Sequence, residues 1–182
     1  MDIKDYLINS KKTLSPNFHY DKEFPSEPEI RISCDEFSHA AKIMDIVKKR
    51  KFYGKDIPAP YELTNPEYFK GLEFKQDEGG EKILHAILGI GTESGELVDA
   101  LLKYKYEGQE LDVVNVKEEV GDLMWYVAII LREFDLDLHE IMQNNIDKLK
   151  ARYGDKFSEE KANTRDLDTE RDILDQGEND KK

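Results

Sequence analysis

Two pairs of acidic residues have the types and the spacing that could hold a metal ion. Glu93 and Glu96 are three residues apart in one apolar segment, and Glu119 and Asp122 repeat this spacing in the next. Side chains three residues apart are neighbours on the surface of a helix. If the two helices pack antiparallel, the carboxylates converge, and without a cation they would repel each other or take up protons. Mg²⁺ and Mn²⁺ are the usual partners of all-oxygen sites, and Mg²⁺ often binds substrate phosphates as well. The two pairs therefore predict a metal-dependent site for a phosphate compound.

The first pair lies in a segment whose apolar residues recur at helical intervals from Glu81 to about Tyr106. Gly89, Gly91 and Gly95 interrupt this helix, and each costs up to about 1 kcal/mol relative to alanine in a helix interior. Such a cost indicates that something approaches the helix backbone closely. We favour the packing of a neighbouring element over a bound ligand as the cause.

The second pair lies in a segment predicted to form a helix from Asp112 or Asn115, either of which suits an N-cap, to about Phe134. After Asp122 its apolar residues cover nearly the whole circumference, which is typical of a buried helix. Gly108 is expected to end the preceding helix, since glycine is common just after a helix C-terminus. The acid pairs then lie at the edge of the core, where a carboxylate is costly unless it is paired or coordinated.

The rest of the chain also shows helical patterns. Further helices are predicted at about residues 3–14, from Cys34 or Asp35 to Lys51, from an Asp137 cap to about Tyr153, and at 166–174, with disorder expected after 174. The basic run at 48–51 is expected to be a solvated helix end. Prolines predict irregular stretches at 16–28 and 58–80, and aromatic residues in the second stretch (Tyr61, Tyr68, Phe69 and Phe74) either pack locally or line a pocket. With no alternating strand pattern, the predicted class is all-α, a helical bundle with an N-terminal helical and irregular extension.

The composition limits the classes of function. The chain has 182 residues, which fits one domain, and a formal net charge of −13 from 27 basic and 40 acidic side chains. Such acidity argues against a general nucleic-acid binder, whose phosphate contacts need surplus Lys and Arg, but it allows a free nucleotide that binds with Mg²⁺. No stretch approaches the roughly 18 apolar residues of a membrane span, the N-terminus lacks the apolar core of a signal peptide, and the lone Cys34 suits a reducing compartment. We expect a cytoplasmic protein that binds neither nucleic acid nor membranes.

Three short motifs occur in order along the chain. They are Gly91-Thr-Glu93-Ser-Gly-Glu96-Leu, Glu118-Glu119-Val-Gly-Asp122-Leu and Asn145-x-x-Lys148-x-x-x-Arg152-Tyr153. In this order they resemble the motifs of MazG-like nucleoside triphosphate pyrophosphohydrolases, members of the all-α NTP pyrophosphatase superfamily. The resemblance covers about residues 81–158, which would be the helical catalytic core. Residues 1–80 are then expected to be helices and loops that pack on the core, and residues 159–182 a charged tail, partly helical and then disordered.

The resemblance implies a hydrolytic reaction and the residues that carry it out. Glu93, Glu96, Glu119 and Asp122 would be the ligands of Mg²⁺, with Mn²⁺ able to replace it. The family reaction converts a nucleoside triphosphate to the monophosphate and pyrophosphate, through attack of a metal-activated water on the α-phosphorus. Either Glu119 or its neighbour Glu118 would act as the general base.

The resemblance also implies contacts with the substrate and with other copies of the chain. Lys148 and Arg152 match positions that bind phosphate oxygens, and Asn145 matches one that contacts sugar or phosphate, although it would equally suit a polar helix face. From its position one turn after Asp122, Tyr126 could hydrogen-bond or stack at the nucleotide, although as an isolated residue it is expected to pack in the core. Tyr153 completes the third motif. Because the superfamily builds its four-helix sites in dimers or tetramers, a homodimer or homotetramer is implied.

Two kinds of alternative stay open at this point. Relatives with similar motifs act on dUTP and dUDP or on phosphoribosyl-ATP, so the sequence leaves the nucleotide undetermined. The chain could instead be a non-catalytic acidic helical protein that binds a partner or senses nucleotides. In that case the carboxylates would be surface charge or a structural cation site.

Overall fold

The computed structural model describes residues 1–16, 26–61, 64 and 77–179 of the chain. Within these ranges the chain forms helices and no strand, which confirms the predicted all-α class. The helices are α1 (Ile3–Lys12), α2 (Glu27–Tyr53), α3 (Glu78–Glu107), α4 (Val113–Glu133), α5 (Leu138–Tyr153), α6 (Glu159–Asn163) and α7 (Leu167–Asn179). None of these helices is long and apolar enough to cross a membrane. Tyr68, Phe69 and Phe74, predicted to pack locally or to line a pocket, lie outside the described residues.

Helix α2 begins well before the position predicted from its apolar pattern. It starts at Glu27 instead of around residue 34. The Ser26 N–H donates to the Glu29 carboxylate at 2.7 Å, and Pro28 lies in the first turn, where a proline sacrifices no helical hydrogen bond. The prediction of an irregular connection through Pro28 is therefore wrong, because a local capping arrangement starts the helix there.

Helix α3 carries the first acid pair and has a defined cap at each end. Asp77 Oδ1 accepts a hydrogen bond from the Gly80 N–H at 2.7 Å, so the helix begins inside the stretch that was predicted to be irregular. At the other end Gly108 adopts the left-handed conformation with a φ of 70°. This confirms the predicted role of Gly108, since glycine reaches that conformation without steric cost.

Two of the glycines in α3 allow neighbouring helices to approach closely. A Cβ atom at Gly89 would lie 2.2 Å from Tyr126 Cε1 on α4, and one at Gly95 would lie 2.1 Å from Ala41 Cβ on α2. Both distances are far shorter than carbon atoms tolerate, so neither position admits a larger residue without movement. Packing is therefore the cause of these glycines, as predicted.

Local caps also set the beginnings of α4 and α5. Asp112 accepts from the backbone N–H groups of Val114 and Asn115, at 2.9 and 3.2 Å. Asp137 accepts from the His139 N–H at 2.7 Å. Of the two N-caps considered for α4, Asp112 is the one used, and the predicted Asp137 cap of α5 is confirmed.

One face of α4 is exposed, which differs from the buried helix predicted for this segment. Val120, Met124 and Trp125 are 48%, 48% and 53% exposed. The opposite face supplies Tyr126, which packs with Ala86 of α3 in the core. The apolar residues around α4 therefore include a face that the described residues of the chain leave exposed.

The helices form two compact units. One unit contains α2, α3 and α4, and in it α3 packs against both of the other helices. The other contains α1, α5, α6 and α7, and in it α5 packs against the remaining three. Met142 and Ile146 of α5 are buried in this second unit. The predicted division of the chain after residues 80 and 158 stays a prediction.

Candidate metal centre

Three of the predicted metal ligands meet where α3 packs against α4. One carboxylate oxygen from each of Glu93, Glu96 and Glu119 lies within 4.8 Å of the others. Gly89 contacts Tyr126 and Glu96 lies near Glu119, so residue numbers rise along α3 as they fall along α4. The two helices are therefore antiparallel, which is the arrangement that makes the acid pairs converge.

This group of three carboxylates is called here the acid triad. Burial and mutual repulsion make full ionisation of all three carboxylates unfavourable. Glu93 and Glu119 are only 6% and 4% exposed, whereas Glu96 reaches the surface. Burial, together with the charges of Glu96 and Glu93, raises the pKa of Glu119 from its ordinary 4.5 to about 7. Burial and the charge of Glu93 also raise the pKa of Glu96. A divalent cation would offset the repulsion between these carboxylates and prefers oxygen ligands, so the triad is a group that could hold such an ion.

The remaining acids of the second motif lie outside the triad. Asp122 follows Glu119 by three residues on α4, is exposed, and does not belong to the carboxylate group found among the described residues. Glu118 is also exposed. Asn115 Nδ2 donates to Glu119 Oε1 at 2.6 Å and so orients the buried carboxylate from the preceding turn. The structure therefore brings together three of the four predicted ligands and leaves Asp122 at the surface.

A buried lysine on α2 neutralises part of the charge of the acid triad. Lys48 is 4% exposed, and its Nζ donates to Glu93 Oε1 at 2.7 Å and to Thr92 Oγ1 at 2.6 Å. It also lies 3.5 Å from Asp45 Oδ1 and 5.2 Å from the centre of the Tyr126 ring. Burial lowers the pKa of this ammonium group, but the hydrogen bond and the charge of Glu93 outweigh burial and leave the pKa raised. The prediction that the basic run is solvated is therefore wrong at Lys48.

The sequence contained a signal for the burial of Lys48. Ala41, Met44 and Lys48 follow each other at spacings of three and four residues, so they share one face of α2. Ala41 and Met44 are the side chains that lie against Gly95 and Gly91 of α3. A charge on such an apolar face requires a buried partner, but the partner itself depends on tertiary packing.

A cavity of about 820 Å³ opens beside the acid triad, between α2, α3 and the beginning of α4. Its wall includes Glu96, Glu118 and Asn115. Also on its wall, Lys103 and Lys42 bind Asp99 at 2.7 and 3.0 Å, and their hydrogen bonds lower the pKa of that carboxyl group. Sites for small molecules typically have volumes of about 300–1,000 Å³, so a nucleotide-sized ligand fits this space.

Tyr126, predicted to contact the nucleotide, is a core residue. It is 5% exposed, its ring fills the space left by Gly89, and its hydroxyl lies 3.0 Å from that of Tyr53. The His85 ring contacts the Tyr126 ring edge-on, with 5.6 Å between centroids. The described contacts of Tyr126 are therefore a hydrogen bond and ring contacts with neighbouring side chains, and its role toward a substrate stays a prediction.

The other predicted substrate-binding residues lie on α5, in the second unit. They are Asn145, Lys148, Arg152 and Tyr153. Asn145 Oδ1 accepts from the Tyr6 hydroxyl at 3.2 Å. Arg152 Nε donates to Glu170 Oε1 at 2.7 Å, and Arg152 Nη2 binds the other oxygen of this buried carboxylate. Glu170 is thus an acidic partner of Arg152 that the sequence did not indicate, and the roles of these residues toward a substrate stay predictions.

Comparison with known proteins identifies the family. Residues 81–157 match the family model of the MazG nucleotide pyrophosphohydrolase domain. A curated relative, the Gene 37 protein of Mycobacterium phage L5, is 30% identical over 79 residues, which cover 40% of this chain and 67% of the relative. The chain belongs to the MazG family. No solved structure matches it.

The MazG match assigns this chain to the nucleotide pyrophosphohydrolases, a class of hydrolases. The matched segment contains the acid triad but begins after the end of α2. Lys48 and the α2 side of the cavity therefore lie outside the MazG segment, although they contact residues within it.

Proposed function

We propose that this protein hydrolyses a (deoxy)nucleoside triphosphate to the monophosphate and pyrophosphate in a Mg²⁺-dependent reaction. The observation that carries the proposal is the convergence of Glu93, Glu96 and Glu119 within 4.8 Å. The MazG match over the same residues supports it. A triphosphate is itself strongly anionic, so an acidic site of this kind suits it only together with a cation.

The acid triad is the set of residues that would hold Mg²⁺, with Mn²⁺ able to replace it. Asp122, three residues after Glu119 on α4, would add a further ligand from the exposed side of that helix. The raised pKa of Glu119, about 7, results from its burial and from the charges of Glu96 and Glu93, and a divalent ion would offset those charges. When bound, such an ion offsets phosphate charge and lowers the pKa of a water molecule.

Hydrolysis at the α-phosphorus needs an acceptor for the proton of water. The water oxygen forms a bond to the α-phosphorus, the bond from that phosphorus to the bridging oxygen breaks, and pyrophosphate leaves. Of the two candidate bases, we favour Glu118, because it is exposed on the wall of the cavity and is not one of the three clustered acids. Glu119 would be engaged as a ligand and so less able to accept the proton.

The cavity of about 820 Å³ is the proposed position of the nucleoside part of the substrate. Its wall carries more acidic than basic side chains, and Lys42 and Lys103 are already engaged by Asp99. An uncharged base and sugar suit such a wall better than free phosphates do. The phosphates would then extend toward Glu96, at the exposed edge of the acid triad.

We also infer that the chain forms a homo-oligomer. Val113, Val120 and Met124 are 56%, 48% and 48% exposed, and their spacing of seven and four residues places them on one face of α4. Covering this face by a second copy would remove apolar surface from water. Light scattering on the purified protein tests the inference, and a monomer at every concentration would contradict it.

The proposed reaction is tested with purified protein, Mg²⁺ and a panel of ribo- and deoxynucleoside triphosphates that also includes dUDP and phosphoribosyl-ATP. We expect pyrophosphate release from at least one triphosphate, and loss of that release in Glu119→Gln. Glu36→Gln, an exposed carboxylate on α2, is the matched control and should keep the activity. The absence of turnover with every nucleotide, in a protein that is folded, would overturn the proposal.

A further inference from the structure

Lys48 is a buried cation contributed by a helix that lies outside the MazG match. Its side chain is 5% exposed, yet it brings a positive charge to the edge of the acid triad. Burying an ammonium group is unfavourable unless hydrogen-bond acceptors and opposite charges are well placed around it. Lys48 at this position therefore needs acidic or hydrogen-bonding partners, and its role is inferred from them.

The donors of Lys48 are directed at side chains of the protein. An ammonium group has three N–H bonds, and the acceptors near Nζ are Thr92 Oγ1 at 2.6 Å, Glu93 Oε1 at 2.7 Å and Asp45 Oδ1 at 3.5 Å. Two of its three donors form hydrogen bonds and the third can face the Asp45 carboxylate, so in the structure Lys48 is engaged by protein side chains. Any effect of Lys48 on the reaction is therefore expected to act through its charge and through the side chains that it binds, above all Glu93.

One oxygen of Glu93 is held from two sides. Glu93 Oε1 receives the Lys48 ammonium group and also lies 2.9 Å from the Thr92 hydroxyl. The Thr92 hydroxyl has one proton, which it can donate either to Glu93 Oε1 or to the Gly89 carbonyl oxygen, again at 2.9 Å. Lys48 donates to Glu93 Oε1 in either case. The contact fixes the orientation of Glu93 and neutralises one of the three carboxylates of the acid triad.

We propose that Lys48 is a positioning residue of the metal site, an internal counter-ion that holds Glu93 and competes with a metal ion for the charge of the acid triad. The inference rests on the proposed function, since it takes the acid triad as the metal ligands. A fixed positive charge bound to one of the carboxylates that would hold the ion would repel a divalent cation there, so Lys48 lowers the affinity for free metal. It also keeps a partner on buried Glu93 when no metal is bound.

Calorimetric titration of the full chain with MnCl₂ tests this proposal. Lys48→Met and Lys48→Gln both remove the charge. The first changes the side-chain volume little, and the second supplies amide N–H donors in place of the ammonium group. We expect both to bind Mn²⁺ at least about tenfold more tightly than the wild type, because the repulsion is gone. Lys48→Arg keeps the charge and should bind close to the wild type. Lys51→Met, which removes an exposed lysine paired with Glu81 on the same helix, is the control and should leave the affinity unchanged.

Thermal melting with and without Mn²⁺ covers the case in which a neutral variant loses stability. Removing the partner of a buried charge destabilises a protein, and we expect saturating Mn²⁺ to raise the melting temperature of Lys48→Met more than that of the wild type. A folded Lys48→Met that binds Mn²⁺ no more tightly than the wild type overturns the inference. So does a variant that stays unfolded at saturating Mn²⁺. If the wild type itself binds no Mn²⁺, the metal site of the proposed function fails first, and the two failures are thereby distinguished.

Discussion

Lys48 Nζ and Glu93 Oε1 lie 2.7 Å apart in a buried ion pair that connects α2 to the MazG segment. Glu93 shares the acid triad with Glu96 and Glu119, so the pair couples a helix outside the family match to the proposed metal ligands. The site is therefore a product of three helices, of which only α3 and α4 belong to the matched segment.

The raised pKa of Glu119 predicts a pH dependence of stability in the metal-free protein. Its pKa is about 7 in the folded protein against an ordinary 4.5, so the folded state binds the proton more tightly. The resulting stabilisation is complete below about 4.5 and is lost as the pH rises through about 7. In chelator, the melting temperature of the wild type should therefore fall relative to that of Glu119→Gln between pH 5 and 8. If the melting temperatures of the two proteins change in parallel with pH, the raised pKa of Glu119 is contradicted.

Replacing the neighbouring acids Glu118 and Glu119 should have separable effects. Glu119→Gln removes a proposed ligand and should weaken Mn²⁺ binding and lower kcat together. Glu118→Gln removes the proposed base and should lower kcat by about 10²–10⁴-fold with Mn²⁺ affinity unchanged. Steady-state kinetics combined with calorimetry distinguishes the two. Full activity in Glu118→Gln would remove that residue from the reaction and leave Glu119 as the candidate base.

The contact between Gly95 and Ala41 predicts a large cost for a small substitution. A Cβ at position 95 would lie 2.1 Å from Ala41 Cβ, so Gly95→Ala should lower the free energy of unfolding by about 1–3 kcal/mol despite the better helix propensity of alanine. Gly121→Ala is the control, because a Cβ there meets nothing within 4 Å among the described atoms. That substitution should stabilise α4 by about 0.5–1 kcal/mol. Denaturant unfolding measures both, and equal effects would contradict the packing of α2 on α3.

The ion pairs of Glu170 predict a stabilising role for α7 in the second unit. Hydrogen bonds from Arg152 and Arg165 lower the pKa of Glu170 to about 2. The stabilisation from this depressed pKa is present above the ordinary 4.5 and is lost as the pH falls toward about 2. Glu170→Gln should therefore melt at a lower temperature than the wild type at pH 7, with the difference shrinking in acid. Arg165→Ala should lower the melting temperature less than Arg152→Ala does, because Arg165 is more exposed than Arg152.

Features set by neighbouring residues could be predicted from the sequence. The caps Asp112 and Asp137 and the terminal Gly108 are local, since each acts on backbone groups within a few residues. The convergence of Glu93 with Glu119 was also predictable, because two acid pairs of equal spacing on consecutive helices leave few antiparallel arrangements.

Features set by packing between distant segments could not be predicted in this way. Because Lys48 stands in a run of basic residues, it was predicted to be solvated although it lies on the apolar face of α2. Its partner Glu93 is 45 residues away, so the sequence around Lys48 does not indicate the ion pair. Asp122 repeats the spacing of the first pair, but the helix rotation that buries Glu119 leaves Asp122 exposed. The exposed apolar face of α4 could not be predicted either. A pattern of apolar residues predicts that a helix face is buried, but it does not tell whether the same chain or a second copy covers that face.

The most direct test of the central claim is hydrolysis of the best nucleoside triphosphate in ¹⁸O-labelled water with Mg²⁺, followed by mass spectrometry of the products. Attack of water at the α-phosphorus places the label in the nucleoside monophosphate and leaves pyrophosphate unlabelled. We predict this outcome, with no product formed by Glu119→Gln or in the presence of excess chelator. Label in pyrophosphate or in free phosphate, or turnover that persists without the divalent ion, would contradict the proposed reaction.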